Sequence, residues 1–386
     1  MNLLKIEKPK FLTICFCMTM LFVYSVNERY FSIGNYFYFP VMVLLVGSYN
    51  LLSSYGRNSW KIFIGDFKIP LTILYVLTSV FVFQKEYKSD VVFSYILLLG
   101  MFYVMTLSKL NEIDVKWIMY SFILSGLVLA ILLLSQMRLA RLDLLRFTVF
   151  YSESDFYDVN FLGGYIAIPA LLSFYKGWVK KNSCGVILYK IATTIMIIAV
   201  LLTGSRGAML GFLVGVGILL MNRKMILQGL FLAGLFVLLT PLLPDFLYER
   251  LFENSYDDGS NSQRIEDWMA GLNAFVKSPL LGNGFDWPED IIYRELRLKL
   301  TAHNTYITFL MHFGIIGIGF LLSIFYPMVV VIVRNKNMRG LLAMLASLLF
   351  ISIMIEATLS IIFYIPLIVI WILYNYKKNN IYNTVI

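Results

Sequence analysis

Hydrophobic runs recur along the whole chain, at roughly 11–27, 34–54, 68–84, 91–108, 117–135, 160–176, 186–203, 207–221, 225–243, 303–332, 340–355 and 358–375. Most approach the ~20 apolar residues that an α-helix needs to cross a bilayer. They predict twelve helical spans. The last two come from one apolar run, divided at Glu356 because a single helix of that length overshoots the membrane. Most connections are short, but 136–160 and 244–302 are long and polar. The pattern predicts an all-α integral membrane protein. It forms one polytopic domain over 1–386, with 244–302 as a large extracytoplasmic loop within it. No internal repeat or low-complexity linker interrupts it.

Composition agrees. Hydrophobic residues are 59% of the 386 and charged residues 14%, and mean hydropathy is +0.77. An ordinary soluble domain is nearer about half apolar and about a quarter charged. The net charge of +9 is no sign of nucleic acid, because the basic residues sit between the apolar runs. Counted from a cytoplasmic start, eighteen Lys and Arg fall on the inside and four, Arg29, Lys85, Lys88 and Arg206, in the short outside loops. That is a positive-inside bias. It puts both termini in the cytoplasm and both long loops outside. Lys5, Lys8 and Lys10 before Phe11–Val26 resemble a signal peptide, but no small-residue cleavage site follows, so the segment reads as a retained first span. Cys15, Cys17 and Cys184 show neither a disulfide framework nor metal-ligand spacing.

Within the first long loop, Leu142, Leu145 and Val149 stand at helical spacing among Arg138, Arg141 and Arg146, which predicts a short helix on the membrane surface. Glu153, Asp155 and Asp158 read as a solvated acidic loop rather than a cation site. In the second loop, Ser260 and Gln263 have capping-box spacing, and Ile265, Trp268, Leu272, Phe275 and Val276 form an apolar stripe. Pro279 ends that helix. A second amphipathic piece spans Asp290–Leu300. Both pieces are expected to lie on the outer surface and cap a cavity between the spans.

Three side chains on the outer side carry candidate chemistry: Arg206, Arg264 and His303. From Arg206 to Arg223 is seventeen residues, ~25 Å of helix, so Arg206 sits at the outer edge of a ~30 Å core. Gly207, Gly211 and Gly215 give the same helix a stripe open to close approach. Arginine offers a planar fork that matches phosphate oxygens. A histidine near two arginines is expected to be neutral, because like charge disfavours imidazolium, and so able to take a proton from a hydroxyl. Asn304 and Tyr306 are candidate sugar-hydroxyl ligands. His312, inside the span, reads as a packed histidine with a hydrogen bond. There is no nucleotide-binding loop, no metal-ligand cluster and no expected cofactor. An outward site has no access to cytoplasmic nucleotide donors, so its donor should be lipid-linked.

These residues carry a resemblance. Gly204-Ser205-Arg206-Gly207-Ala208, Arg264-Ile265-Glu266-Asp267-Trp268, Ser278-Pro279-Leu280-Leu281-Gly282-Asn283-Gly284, His303-Asn304-Thr305-Tyr306 and Gly314-Ile315-Ile316-Gly317 are similar, in order and spacing, to signatures of the O-antigen ligase and polymerase superfamily. The resemblance implies a C-type glycosyltransferase-like fold in the bacterial inner membrane. It implies metal-independent transfer of undecaprenyl-diphosphate-linked oligosaccharide to a glycan acceptor. The lipid bilayer, a flippase and a chain-length regulator are then the expected partners. It also implies that the arginines hold the diphosphate and that His303 activates the acceptor. Asp158-Val159-Asn160 is similar to an Asp-Pro-Asn of polymerase-like members, which favours a repeat-unit polymerase. A ligase acting on lipid A–core is the alternative, and a flippase or transporter of the same lipid-linked glycans the rival of another class.

Overall fold

The computed structural model describes residues 9–24, 32–33, 36–55, 68–81, 85–136, 138–141, 146–149, 158–179, 185–221 and 260–383. Its helices in chain order are α1 (Phe11–Met18), α2 (Tyr38–Tyr55), α3 (Lys68–Phe81), α4 (Ser89–Leu107), α5 (Glu112–Gln136), α6 (Val159–Phe174) and α7 (Val186–Leu202). They continue with α8 (Arg206–Leu219), α9 (Ser260–Lys277), α10 (Pro288–Leu296), α11 (Thr305–Arg334), α12 (Arg339–Met354) and α13 (Ile361–Asn383). Every predicted run coincides with one of these helices except 225–243, which lies outside the described residues. Among them α4, α5 and α11 are each long and apolar enough to cross a membrane. The fold is that of an all-α membrane protein.

Two small antiparallel hairpins interrupt the helices: Ser32–Ile33 with Tyr36–Phe37, and Arg138–Arg141 with Arg146–Thr148. The second corrects the expected surface helix. The segment ends in Phe147-Thr148-Val149, aromatic and β-branched residues that favour a pleated surface. Thr148 and Val149 are buried there. Leu142 and Leu145, which suggested the helix, lie outside the described residues.

The glycine stripe works as its spacing predicts. It lies against α12, and a methyl group at Gly211 would stand 2.5 Å from the Ile351 side chain. A methyl group at Gly207 would meet the Met354 Cβ at 2.8 Å. Contact at this range lets two helices gain dispersion along their backbones where lipid offers no hydrophobic drive. The consequence for the site is positional: the start of α8, with Arg206, is fixed beside the end of α12.

Helix α11 is broken. Gly314 has φ 59° and ψ −173°, outside helical space. The loop Ser278–Gly284 fills the break. The N–H groups of Ile315 and Ile316 donate to the carbonyls of Pro279 and Leu280 at 2.9 and 3.2 Å, and Asn283 N–H donates to the Met311 carbonyl at 2.6 Å. The Tyr75 hydroxyl from α3 lies 2.8 Å from the Phe313 carbonyl. Irregular backbone at membrane depth is tolerated when protein satisfies it, and this loop supplies the partners. Glycine is required on both sides of the wedge. Gly282 has φ 77°, and a Cβ there would lie 2.3 Å from the His312 carbonyl oxygen; one at Gly314 would lie 2.4 Å from that of Leu280.

Candidate functional site

The site is assembled on the start of α11. Asn304 caps the helix: its side-chain oxygen accepts from the N–H of Tyr306 at 2.9 Å and of Ile307 at 3.2 Å. Thr305 ties it to the turn after α12. Its N–H and its hydroxyl both donate to the Ile355 carbonyl, at 2.9 and 2.7 Å, and its Oγ1 accepts from Ala357 N–H at 2.9 Å. A small core beneath α9 and α10, including Ala270, Ala274, Ile291 and Ile292, takes in Ala302. His303 thus stands between two buried residues, Ala302 and Asn304, and is itself exposed. Its φ is +43°, in the left-handed region that costs a non-glycine residue about 1–3 kcal/mol. Such strain clusters at functional sites.

A cavity of about 740 Å³ opens beside His303. Its walls include Gln263 and Asp267 from α9, and Glu289, Asp290 and Tyr293 from α10. Glu356 enters from the turn between α12 and α13. Glu356 Oε1 accepts from the Thr358 N–H at 3.1 Å and from the Thr358 hydroxyl. Burial pushes the Glu356 carboxyl above the usual range, and those two bonds pull it part of the way back. Asp267 is 2% exposed. Burial raises its carboxyl too, and the neighbouring His303 ring and Arg264 guanidinium act in the opposite direction.

The two predicted arginines lie beside this cavity rather than in its lining. Arg264 Nη1 is 3.6 Å from the Met354 sulfur. Arg206 begins α8, next to Gly207, which faces the same methionine. The Arg206 Nε is buried and has no hydrogen-bond partner among the described residues. It stands at a helix N-terminus, where Ser205 Oγ accepts from Ala208 N–H and the helix dipole favours an anion. Met354 is two residues from Glu356, which lines the cavity with His303. One turn of chain therefore links arginines, carboxylate and histidine.

The other predicted residues fall as follows. The Tyr306 hydroxyl donates to the Leu349 carbonyl at 2.7 Å, and Asn304 spends its side-chain oxygen on the cap. His312 is fully buried; its Nε2–H donates to the Asp286 carbonyl at 2.9 Å and its Nδ1 lies 2.6 Å from the Tyr95 hydroxyl. Asp158 caps α6, accepting from Asn160 and Phe161 N–H. Glu153 and Asp155 lie outside the described residues. Sequence reasoning passed over Asp267 and Glu356 as site residues. The signal for Glu356 was present: an ionisable residue inside a long apolar run is by default a functional candidate.

Helix α9 divides the predicted stripe. Ala270 and Ala274 turn to the small core, with Trp268 and Phe275 packed against it. Ile265, Met269, Leu272 and Val276 form an exposed row on the other side.

Geometry and composition thus define an all-α membrane protein with a polar site at one end of its helices. Comparison with known proteins is more specific. Residues 191–322 match the family described as O-Antigen ligase. The match runs from within α7 to the middle of α11 and supports assignment to the O-antigen ligase/polymerase superfamily. An uncharacterized protein of Haemophilus influenzae is 24% identical over 192 residues, 42% of this chain and 48% of that protein. The aligned part therefore spans about half the length of that curated relative.

Proposed function

We propose that this chain is a glycosyltransferase that polymerises undecaprenyl-diphosphate-linked oligosaccharide repeat units. It would act on the extracytoplasmic side of the inner membrane, with about twelve spans and both ends cytoplasmic. The observation that carries the reading is the orphaned Nε of Arg206. Buried donors without partners are rare and need a reason. A diphosphate at the start of α8 supplies one, since arginine binds phosphate oxygens through its planar fork.

In this reading the growing chain on its lipid diphosphate is the donor. A sugar hydroxyl of the incoming unit attacks the donor's anomeric carbon. The new C–O bond forms as the anomeric C–O bond to the diphosphate breaks, and the diphosphate leaves with the electron pair. Arg206 and Arg264 stabilise its growing charge. His303 takes the proton of the attacking hydroxyl. Asn304 and Tyr306 hold the helix start that carries His303, and Asn304 keeps its amide nitrogen for a sugar contact. Polymerisation is preferred to ligation on the likeness of Asp158-Val159-Asn160 to a polymerase motif. A transporter gains little from the break in α11, because the chain's own loop supplies hydrogen-bond partners to that backbone, where a transporter's broken helix turns them toward substrate and coupling ion.

Purified protein with a lipid-linked repeat unit tests the reading. Chain growth is expected. It should be lost in Arg206→Ala and Arg264→Ala and leave a small residue in the Lys variants, which keep charge but lose the fork. Normal growth in Arg206→Ala would reduce that residue to a membrane-edge anchor. In a deletion strain, single repeats on the acceptor mark a lost polymerase, and full-length polymer on the lipid carrier a lost ligase.

A further inference from the structure

The cavity beside His303 has a sign. Asp267, Glu289, Asp290 and Glu356 line it against one lysine, Lys299. Lys88 approaches Asp290 from outside the lining, at 3.8 Å. These carboxylates are spread around the walls: among the described residues no three His, Cys, Asp or Glu side chains gather into a group that could hold a metal ion. Asp267 is the informative member. It is 2% exposed and lines the cavity, no hydrogen bond joins its carboxylate to the described residues, and its oxygens are not sealed off but open on the cavity. A buried carboxylate without a partner is costly, so its partner is expected among the contents of the cavity. Carboxylates accept hydrogen bonds from hydroxyl and ammonium groups and offer nothing to another carboxylate. Tyr293 and Phe161 add aromatic faces to the lining. About 740 Å³ falls within the ~300–1,000 Å³ of ordinary ligand sites. The residues suited to anions, Arg206 and Arg264, are not in the lining.

We propose that this cavity is the acceptor-sugar subsite, and that its carboxylates make it select uncharged and amino sugars and reject uronic acids. The proposal rests on the transferase reading above and adds a substrate class to it. Asp267 and Glu356 accept from sugar hydroxyls deep in the cavity. Glu289, which is exposed, and Asp290 set the potential at its mouth.

Saturation-transfer NMR on the full-length protein in detergent tests it, with the methyl glycosides of glucose, N-acetylglucosamine, glucosamine and glucuronic acid as probes. The first three should bind, and the glucuronide should bind at least about tenfold more weakly, since like charges in a desolvated site repel strongly. Asp267→Asn and Glu356→Gln should narrow that ratio. Glu289→Gln, at an exposed position, should narrow it less and leaves folding untouched. Equal or tighter glucuronide binding, no binding by any probe, or an unchanged ratio in all three variants would overturn the proposal. Arg206→Ala separates the two claims, because these probes carry no diphosphate. If it loses chain growth while the glucuronide binds as well as glucose, the transferase reading stands and the subsite does not. If the wild-type protein grows no chains while the sugars are still discriminated, the transferase reading falls and the sugar site stands.

Discussion

His303 and His312 are nine residues apart, and α11 places them in opposite surroundings. His312 is sealed among Tyr95, Phe285 and Phe313, with both ring nitrogens engaged. Its carbonyl packs against Gly282 of the wedge loop. His303 is exposed at the cavity, on a strained backbone. The same contrast separates their regions. Around the wedge, the backbone groups freed by the break in α11 and the His312 ring find partners from α3, α4 and the loop, and only single hydroxyls, those of Ser79 and Thr308, are buried without one among the described residues. Beside the cavity, the buried Arg206 Nε lacks one among the described residues. Stability accounts for the first region. The second keeps a buried cationic donor unsatisfied, at a cost that an anionic ligand would offset.

The sharpest way to break this comparison is to exchange the rings' fates. General-base help is worth ~10²–10⁴-fold in rate, so His303→Ala should lower turnover by that order while the lipid-linked donor still binds through the arginines. His303→Gln keeps a hydrogen-bonding side chain and lacks a base of useful strength. Single-turnover kinetics of the Gln variant within a few-fold of wild type would remove His303 from the chemistry.

His312→Ala should do the opposite. It orphans the buried Tyr95 hydroxyl and Asp286 carbonyl, at about 1–3 kcal/mol for each group left unpaired. Gly314→Ala attacks the same wedge by forcing a Cβ into a left-handed position at contact with the Leu280 carbonyl, and overpacking of that kind costs about 1–3 kcal/mol. Both should lower the unfolding temperature in detergent and the amount of folded protein. Turnover per folded molecule should change little. A large loss of turnover at unchanged stability would make the wedge part of the chemistry.

Much of this was legible in the chain. Period and run length located the helices, because a span must be apolar over most of its length. The glycine stripe announced a close helix contact, and α12 provides it. The hairpin at Arg138–Thr148 was misread because a short segment with scattered leucines satisfies a helical period as easily as a pleated one. The loop Ser278–Gly284 was recognised as a motif, yet its job was hidden. Wedging into a broken helix depends on backbone groups, which sequence does not display. The acidic lining was hidden for a similar reason. Asp267, Asp290 and Glu356 come from three separate segments, which the Thr305–Ile355 pairing and the small core of α9, α10 and Ala302 bring together. The charge around His303 changes with them. Sequence offered it arginines alone, while the fold adds the Asp267 carboxylate.

The smallest effect concerns the backbone of His303 and sharpens the comparison furthest. At φ +43° the residue pays for a left-handed conformation, about 1–2 kcal/mol for an L side chain. Glycine adopts it freely but gives the unfolded chain about 0.4–1 kcal/mol of extra entropy to lose. The balance favours the folded state of His303→Gly by up to about 1.6 kcal/mol. His303→Ala keeps the strain and gains nothing, so the pair isolates the backbone term from loss of the imidazole. Thermal unfolding in detergent should put the Gly variant above the Ala variant by about 1–2 °C, with both lacking turnover. A less stable Gly variant would mean that the imidazole stabilises the helix start, and His303 would then belong with His312 among the structural residues.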